Sequence, residues 1–156
     1  MANAEIIAVG SELLTADKID TNSLWLTDQL NGLGVEVRRK LVVGDDRKLL
    51  AESIRQSLHH ADIVILTGGL GPTEDDVTRE AASEALGRPL IFRQDLLDAL
   101  LERFQRLNRK MADNNRRQTF VIEGAESLPN DRGTAAGQWI DFDGKVAIVY
   151  DPEHVK

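Results

Sequence analysis

The sequence predicts an α/β fold built on a mostly parallel sheet with helices on both faces. Three observations lead there. Short apolar runs alternate with helix-period segments three times in the first half of the chain, and each run ends in a polar or glycine-rich turn. A strand, a helix and a second strand in one sheet join by a right-handed crossover, which lays the helix over a face of that sheet. The 156 residues suit one domain, long enough to bury roughly two-thirds of its unfolded surface.

The first strand is expected over residues 5–9, closed by Gly10, Ser11 and Glu12. Asp20 or Thr21 can cap the following helix, in which Leu26, Leu30 and Leu33 share one face and Gly32 and Gly34 end the run. Residues 35–43 read as the second strand, stopped by Gly44, Asp45 and Asp46. Leu50, Ile54 and Leu58 mark the second helix, and residues 63–66 the third strand. The segment 73–86 is expected to be the third helix, apolar from Val77 onward and closed by Gly87 and Pro89. A fourth helix over about 94–107 carries Leu97, Leu100, Leu101 and Phe104. Strand-like runs follow at 119–122, 138–142 and 146–150, and Asp143-Gly144 is a hairpin turn signal, so this part should add an antiparallel edge or a small β lobe.

Charge narrows the partners. With 19 basic against 26 acidic side chains the formal charge is −7, which argues against a nucleic-acid or anionic-membrane surface. The basic residues Arg103, Arg106, Arg109, Lys110, Arg116 and Arg117 form a local positive stretch better suited to a small anion. Cysteine is absent, so thiolate metal sites and a cysteine nucleophile drop out. The N-terminus lacks a signal-peptide pattern and no window approaches a membrane span; a cytoplasmic location is expected.

The run from Gly68 to Thr78 carries the most chemistry. Gly68, Gly69 and Gly71 let the main chain approach a ligand, and a helix starting near Thr73 would aim free amides at a phosphate. Glu74, Asp75 and Asp76 would repel that phosphate unless a divalent cation sat between them. In an open α/β sheet the turns after successive parallel strands share one crevice, and here all three are acidic: Glu12 and Asp20, then Asp45 and Asp46, then Glu74 to Asp76. Oxygen-ligated Mg²⁺ or Mn²⁺ is the natural partner for such a set. The plainer alternative is that Asp20, Asp45 or Asp46, and Asp75 or Asp76 are helix N-caps. His59 and His60 fit a helix C-terminus, His154 has no assigned role, and Trp25 and Trp139 are assigned to packing.

Several blocks of residues, taken in order, resemble one family. Gly10-Ser11-Glu12-Leu13-Leu14, Asp20-Thr21-Asn22, Val43 to Asp46, Gly68 to Thr78, Asn114 to Gln118, Leu128-Pro129-Asn130 and Gly133-Thr134-Ala135 look like the N-terminal domain of CinA, the competence/damage-inducible protein, within the molybdopterin-binding MoaB/MogA/MoeA-like fold. The resemblance implies a three-layer α/β/α sandwich with a mostly parallel, mixed sheet. It also implies metal-dependent hydrolysis of ADP-ribose, or a related nucleoside diphosphate sugar, to AMP and ribose 5-phosphate. The chain departs from the family at Ala136, where a proline is usual, and after Tyr150, where a Pro-Gly-Pro-Pro loop and a further helix are usual. A single domain over 1–156 is expected, truncated before that helix and without a C-terminal amidase domain.

The expected hydrolase site has Asp76, Asp45, Asp46 and Glu12 as catalytic acids, with Asp45, Asp46, Asp75 and Asp76 holding Mg²⁺, Mn²⁺ or Co²⁺. Ligand contacts are assigned to Gly10, Ser11, Asn22, Gly68, Gly69, Gly71, Pro72, Thr73, Asn114, Asn115, Arg116 (or Arg117), Gly133 and Thr134. The alternatives are a non-catalytic module binding molybdopterin or a nucleotide, and molybdopterin adenylylation, against which the wording of residues 68–78 speaks. Self-association into a homo-oligomer, with Trp139 or Tyr150 on an edge, is expected from the fold's relatives.

Overall fold

The computed structural model describes residues 1–151, so His154 and the segment from Pro152 lie outside the described residues. Eight strands and four α-helices follow in the order β1 (Asn3–Val9), α1 (Thr21–Gly32), β2 (Glu36–Val43), α2 (Arg47–His60), β3 (Ile63–Thr67), α3 (Thr78–Leu86), β4 (Leu90–Phe92), α4 (Gln94–Arg106), β5 (Phe120–Ile122), β6 (Glu126–Leu128), β7 (Gly137–Phe142) and β8 (Lys145–Tyr150). The main sheet runs β2-β1-β3-β8-β7-β6. β1 pairs parallel with β2 and β3, and β3 with β8, whereas β7 is antiparallel to both neighbours. The mixed, mostly parallel sheet and its hairpin at Asp143-Gly144 agree with the sequence reading.

Alternation along the central strands sorts side chains onto two faces. On one, Ile7, Val9, Val64, Leu66, Ala147 and Val149 meet Leu50, Ile54 and Leu58 of α2 and Ala81, Ala82 and Leu86 of α3. On the other, Ile6, Ile65 and Tyr150 meet Leu26 of α1, with Leu30 alongside. This is the three-layer α/β/α architecture. Leu33, expected on the same face of α1, is instead its C-cap and 79% exposed, because the helix ends before it can turn inward. Trp25 and Trp139, assigned to packing, are 42% and 39% exposed.

Two short strands escaped the sequence reading. β4 pairs antiparallel with β5 in a separate two-stranded sheet, and β6 forms the far edge of the main sheet. Each spans three residues, too few to show a period. The capping expectations hold for two helices: Asp20 accepts from Ser23 N at 3.1 Å to cap α1, and Asp46 from Leu49 N at 3.0 Å to cap α2. Replacing Asp46 with Ala should lower stability by about 1 kcal/mol, read as a shift in urea midpoint.

Candidate functional site

The parallel strands β1, β2 and β3 deliver their carboxyl ends to one edge of the sheet. The chain order reverses there, since β2 lies on one side of β1 and β3 on the other, and such a reversal opens a crevice. The turns after β1 and β2 are tied directly: Gly10 N donates to Val43 O at 2.9 Å and Asp45 N to Ser11 Oγ at 2.9 Å, while Ser11 N points at Asp45 Oδ2 at 3.4 Å. Glu12 folds back over Gly10, whose missing Cβ would sit 2.5 Å from Glu12 Oε1. The turn after β3 lies against β1, because a Cβ on Gly68 would stand 2.5 Å from Val9 O. Three turns remote in sequence therefore meet.

The glycine loop is built differently from the sequence expectation. α3 begins at Thr78, not Thr73, and its N-cap Val77 makes no side-chain cap. Asp76 does not cap the helix either; its Oδ2 accepts from Thr73 N at 3.0 Å and Thr73 Oγ1 at 2.7 Å, closing a separate turn. The amides that could face an anion thus belong to the loop, not to a first helical turn.

The carbonyls of residues 68–71 are held by side chains and amides from α3 and residue 118. Thr78 Oγ1 donates to Gly68 O at 2.7 Å and Thr78 N to Gly69 O at 3.2 Å. The Arg79 guanidinium donates twice to Leu70 O, at 2.8 and 3.0 Å, and once to Gly71 O at 3.0 Å. Gln118 Nε2 adds a bond to Leu70 O at 3.2 Å and another to Thr134 Oγ1 at 2.9 Å. Every carbonyl in the loop is occupied. Among the described residues, the amides of Gly69, Leu70 and Gly71 make no hydrogen bond, which leaves three adjacent donors unpaired. Positive φ at Gly68 (98°) and Gly69 (70°) makes the turn.

Arg79, Gln118 and Thr78 were not assigned as site residues by the sequence, and all three are buried. Burial lowers the Arg79 pKa from its ordinary value, and the Glu80 and Asp76 carboxylates oppose that shift. One sequence signal was present: Arg79, Ala82 and Leu86 stand at i, i+3 and i+7, so the arginine lies on the buried stripe of α3.

Other expected ligand contacts are committed to the fold. Asn115 accepts from Ala112 N at 3.1 Å and donates to Gln118 Oε1 at 3.0 Å, which holds Gln118 in place. Arg117 Nη2 pairs with Glu80 Oε1 of α3 at 3.0 Å, and Arg116 lies over the Phe92 ring of β4 at 5.0 Å, so both are held by the fold. Asn114 and Asp75 are exposed, and Asn22 sits in the first turn of α1. Thr134 does approach the loop, through the Gln118 bridge, whereas Gly133 N donates to Asn130 Oδ1 at 3.1 Å. A cleft of about 840 Å³ adjoins that bridge; it lies between α4 and residues 126–136, is lined by Arg103, Arg106, Leu100, Asn130 and Thr134 among others, and excludes the glycine loop.

Among the described residues no three Asp, Glu or His side chains are grouped to hold a metal ion. The acids expected to gather are separately employed: Asp45 faces Ser11 N, Asp46 caps α2, and Asp76 holds Thr73. That arrangement fits an ion of the Mg²⁺ kind only in its commonest form, taken by one or two carboxylates together with ligand phosphates.

The strand-order reversal, whose three turns meet beside the glycine loop, defines an α/β/α domain with a mixed, mostly parallel sheet. Residues 5–148 match the family described as "Probable molybdopterin binding domain", and the chain belongs to that family, in its CinA N-terminal branch. A CinA-like protein of Solibacter usitatus is 58% identical over 147 residues, covering 94% of this chain and 35% of the relative. Another, of Acidobacterium capsulatum, is 51% identical over 139 residues, covering 89% and 34%. The chain therefore spans about a third of the length of these curated relatives. Among solved structures, CinA of Thermoplasma acidophilum, whose function is described as unknown, superposes with a TM-score of 0.89 at 29% identity over 98% of this chain and 91% of that one. The molybdopterin biosynthesis enzyme MoaB of Thermus thermophilus gives 0.63 at 19% identity, over 97% and 82%, a likeness of fold alone. No helix among the described residues is long and apolar enough to cross a membrane.

Proposed function

We propose that this domain binds a phosphate-bearing small molecule, a nucleotide or a pterin, on the amides of Gly69, Leu70 and Gly71. One observation carries the reading: the loop's acceptors are all used by protein donors while three of its donors are free. Such a surface favours an anion and repels a cation or a carbonyl. Ser11 and Asp45 border it from the turns after β1 and β2. In an amide-resolved NMR titration, inorganic pyrophosphate and AMP should shift the resonances of Gly69, Leu70 and Gly71 with a saturable dependence. Shifts confined to the Arg103–Arg106 cleft, or no shifts at all, would overturn this placement.

A finer reading is metal-dependent hydrolysis of ADP-ribose to AMP and ribose 5-phosphate. Its support is the family resemblance together with two carboxylates, Asp45 and Asp76, in turns at the same sheet edge. Asp76, with Asp45 or Asp46, would hold the cation, which when bound offsets phosphate charge. The protein's own part is to seat the diphosphate on the loop amides and to orient water from a carboxylate. With Mg²⁺, Mn²⁺ or Co²⁺ present, AMP should be released from ADP-ribose, and Asp76→Asn should slow that release by about 10²-fold. Full activity in the variant would remove Asp76 from the chemistry; saturable binding without AMP release would leave the binding module standing. Self-association is likewise a proposal, decided by light scattering on the purified chain.

A further inference from the structure

We propose that Arg79 is the positioning residue that sets the polarity of the glycine loop, and that the loop binds anions because this buried guanidinium holds its carbonyls away from the ligand. The inference rests on the amide-cradle reading above and assigns the residue behind it.

A four-residue loop of high glycine content can rotate its peptide planes at little cost, and a flipped plane would present a carbonyl where an amide is needed. In this loop the planes have fixed partners. Arg79 is 3% exposed and its two Nη atoms span Leu70 O and Gly71 O, holding two successive carbonyls with three bonds of 2.8–3.0 Å. The amide of Gly71 shares its peptide plane with Leu70 O, so pinning that carbonyl turns the Gly71 N–H the opposite way. Gln118 supplies only one bond to the same oxygen, at 3.2 Å.

The charge matters as well as the fork. Among the described residues no carboxylate lies within ion-pair distance of the Arg79 guanidinium, although Glu80 is its neighbour in sequence and pairs with Arg117 instead. Glu80 and Asp76 offset part of this charge without ion-pair contact, and the field that remains acts on the loop whose carbonyls the guanidinium holds. Lysine keeps the charge but presents one compact ammonium and cannot span two carbonyls in the planar manner of guanidinium.

Inorganic pyrophosphate is the probe, followed by calorimetry and amide NMR. The wild-type chain should bind with shifts at Gly69 and Gly71. Arg79→Lys should weaken binding at least tenfold and lose the Gly71 shift, whereas Gly69, whose peptide plane is held by Thr78, keeps its orientation; Glu80→Gln, which leaves the loop bonds intact, should bind within about twofold of wild type. Binding of Arg79→Lys at wild-type strength with unchanged amide shifts overturns the role of Arg79. Absence of pyrophosphate binding by the wild-type chain overturns the cradle itself, so the two failures are distinguishable. Should Arg79→Lys not fold, the wild-type Arg79 Nη protons decide: slow exchange, with shifts that move alongside Gly71 as pyrophosphate is added, supports the role. Fast exchange with no response overturns it.

Discussion

Gly69→Ala should cost the domain about 3 kcal/mol and remove its pyrophosphate binding. Two terms add. The residue has φ 70°, a left-handed conformation in which any Cβ is strained by about 1 kcal/mol or more. The new Cβ would also stand 2.1 Å from Thr78 Oγ1 and 3.2 Å from Val9 Cγ1, well inside contact distance. Thr78 is fully buried and its hydroxyl is bonded to Gly68 O, so it cannot swing aside without freeing a loop carbonyl. Overpacking of this kind costs about 1–3 kcal/mol. Thermal unfolding should fall by about 6–12 °C for a domain of this size. Gly32→Ala is the matched control: nothing lies within 4 Å of its Cβ position at the end of α1, and the change should be neutral or stabilising by up to about 1 kcal/mol. If Gly69→Ala melts like wild type and still binds pyrophosphate, the loop does not hold the conformation on which the binding site depends.

The framework of the site was legible because it depends on local patterns. Apolar runs gave β1, β2 and β3, and their parallel order followed from the intervening helices; a shared crevice at Gly10, Asp45 and Gly68 is a consequence of that order. The start of α3 was misread for an instructive reason. Thr73 and Asp76 stand three residues apart, and one bond of the capping-box kind forms, from Thr73 N to Asp76 Oδ2, while Thr73 Oγ1 donates to the same oxygen and Asp76 N donates to Thr73 O. They close a turn and go no further, because the chain must still bring Thr78 back to Gly68 O and Gly69 O. Local chemistry cannot distinguish the two outcomes when a long-range bond decides.

Long-range bonds also explain the rest. Gln118 reaches 48 residues back to Leu70, and the buried Gln138 accepts from Ile122 N at 2.9 Å, which ties the β4–β5 lobe to the main sheet. Gln138 stands in the strand-like run 138–142 and Gln118 in the block Asn114 to Gln118, but neither position shows from sequence which distant backbone group the side chain will bond. The acids carry a different lesson. Their clustering in sequence suggests a metal centre, and three of them, Asp45, Asp46 and Asp76, also share their charge with a nearby amide, an ordinary use of Asp in turns.

Arg39→Met should destabilise the fold by on the order of 3 kcal/mol while leaving ligand affinity unchanged. Glu5, the third residue of β1, carries a charge that is only 4% exposed, and Arg39, its register partner on β2, donates to Glu5 Oε2 from Nε at 3.0 Å and Nη2 at 2.8 Å. Nη2 also points at Ser57 Oγ on α2 at 3.4 Å, so the pair lies under that helix. Arg39 itself is 40% exposed and loses little by leaving; the carboxylate is the group that would be stranded out of water. The reverse change, Glu5→Gln, should therefore cost less, since a half-exposed guanidinium can be rehydrated. Replacing both partners, Glu5→Leu with Arg39→Met, should recover most of the loss, because no buried charge is then left without a partner. Urea denaturation of wild type, Glu5→Leu, Arg39→Met and the double variant measures the coupling directly. A loss below about 1 kcal/mol for Arg39→Met would mean that water reaches Glu5 and the pair behaves as a surface ion pair. Affinity for pyrophosphate should be the same in all four folded proteins: Glu5 lies four residues before Val9 along β1, about 13 Å from the edge that carries the glycine loop.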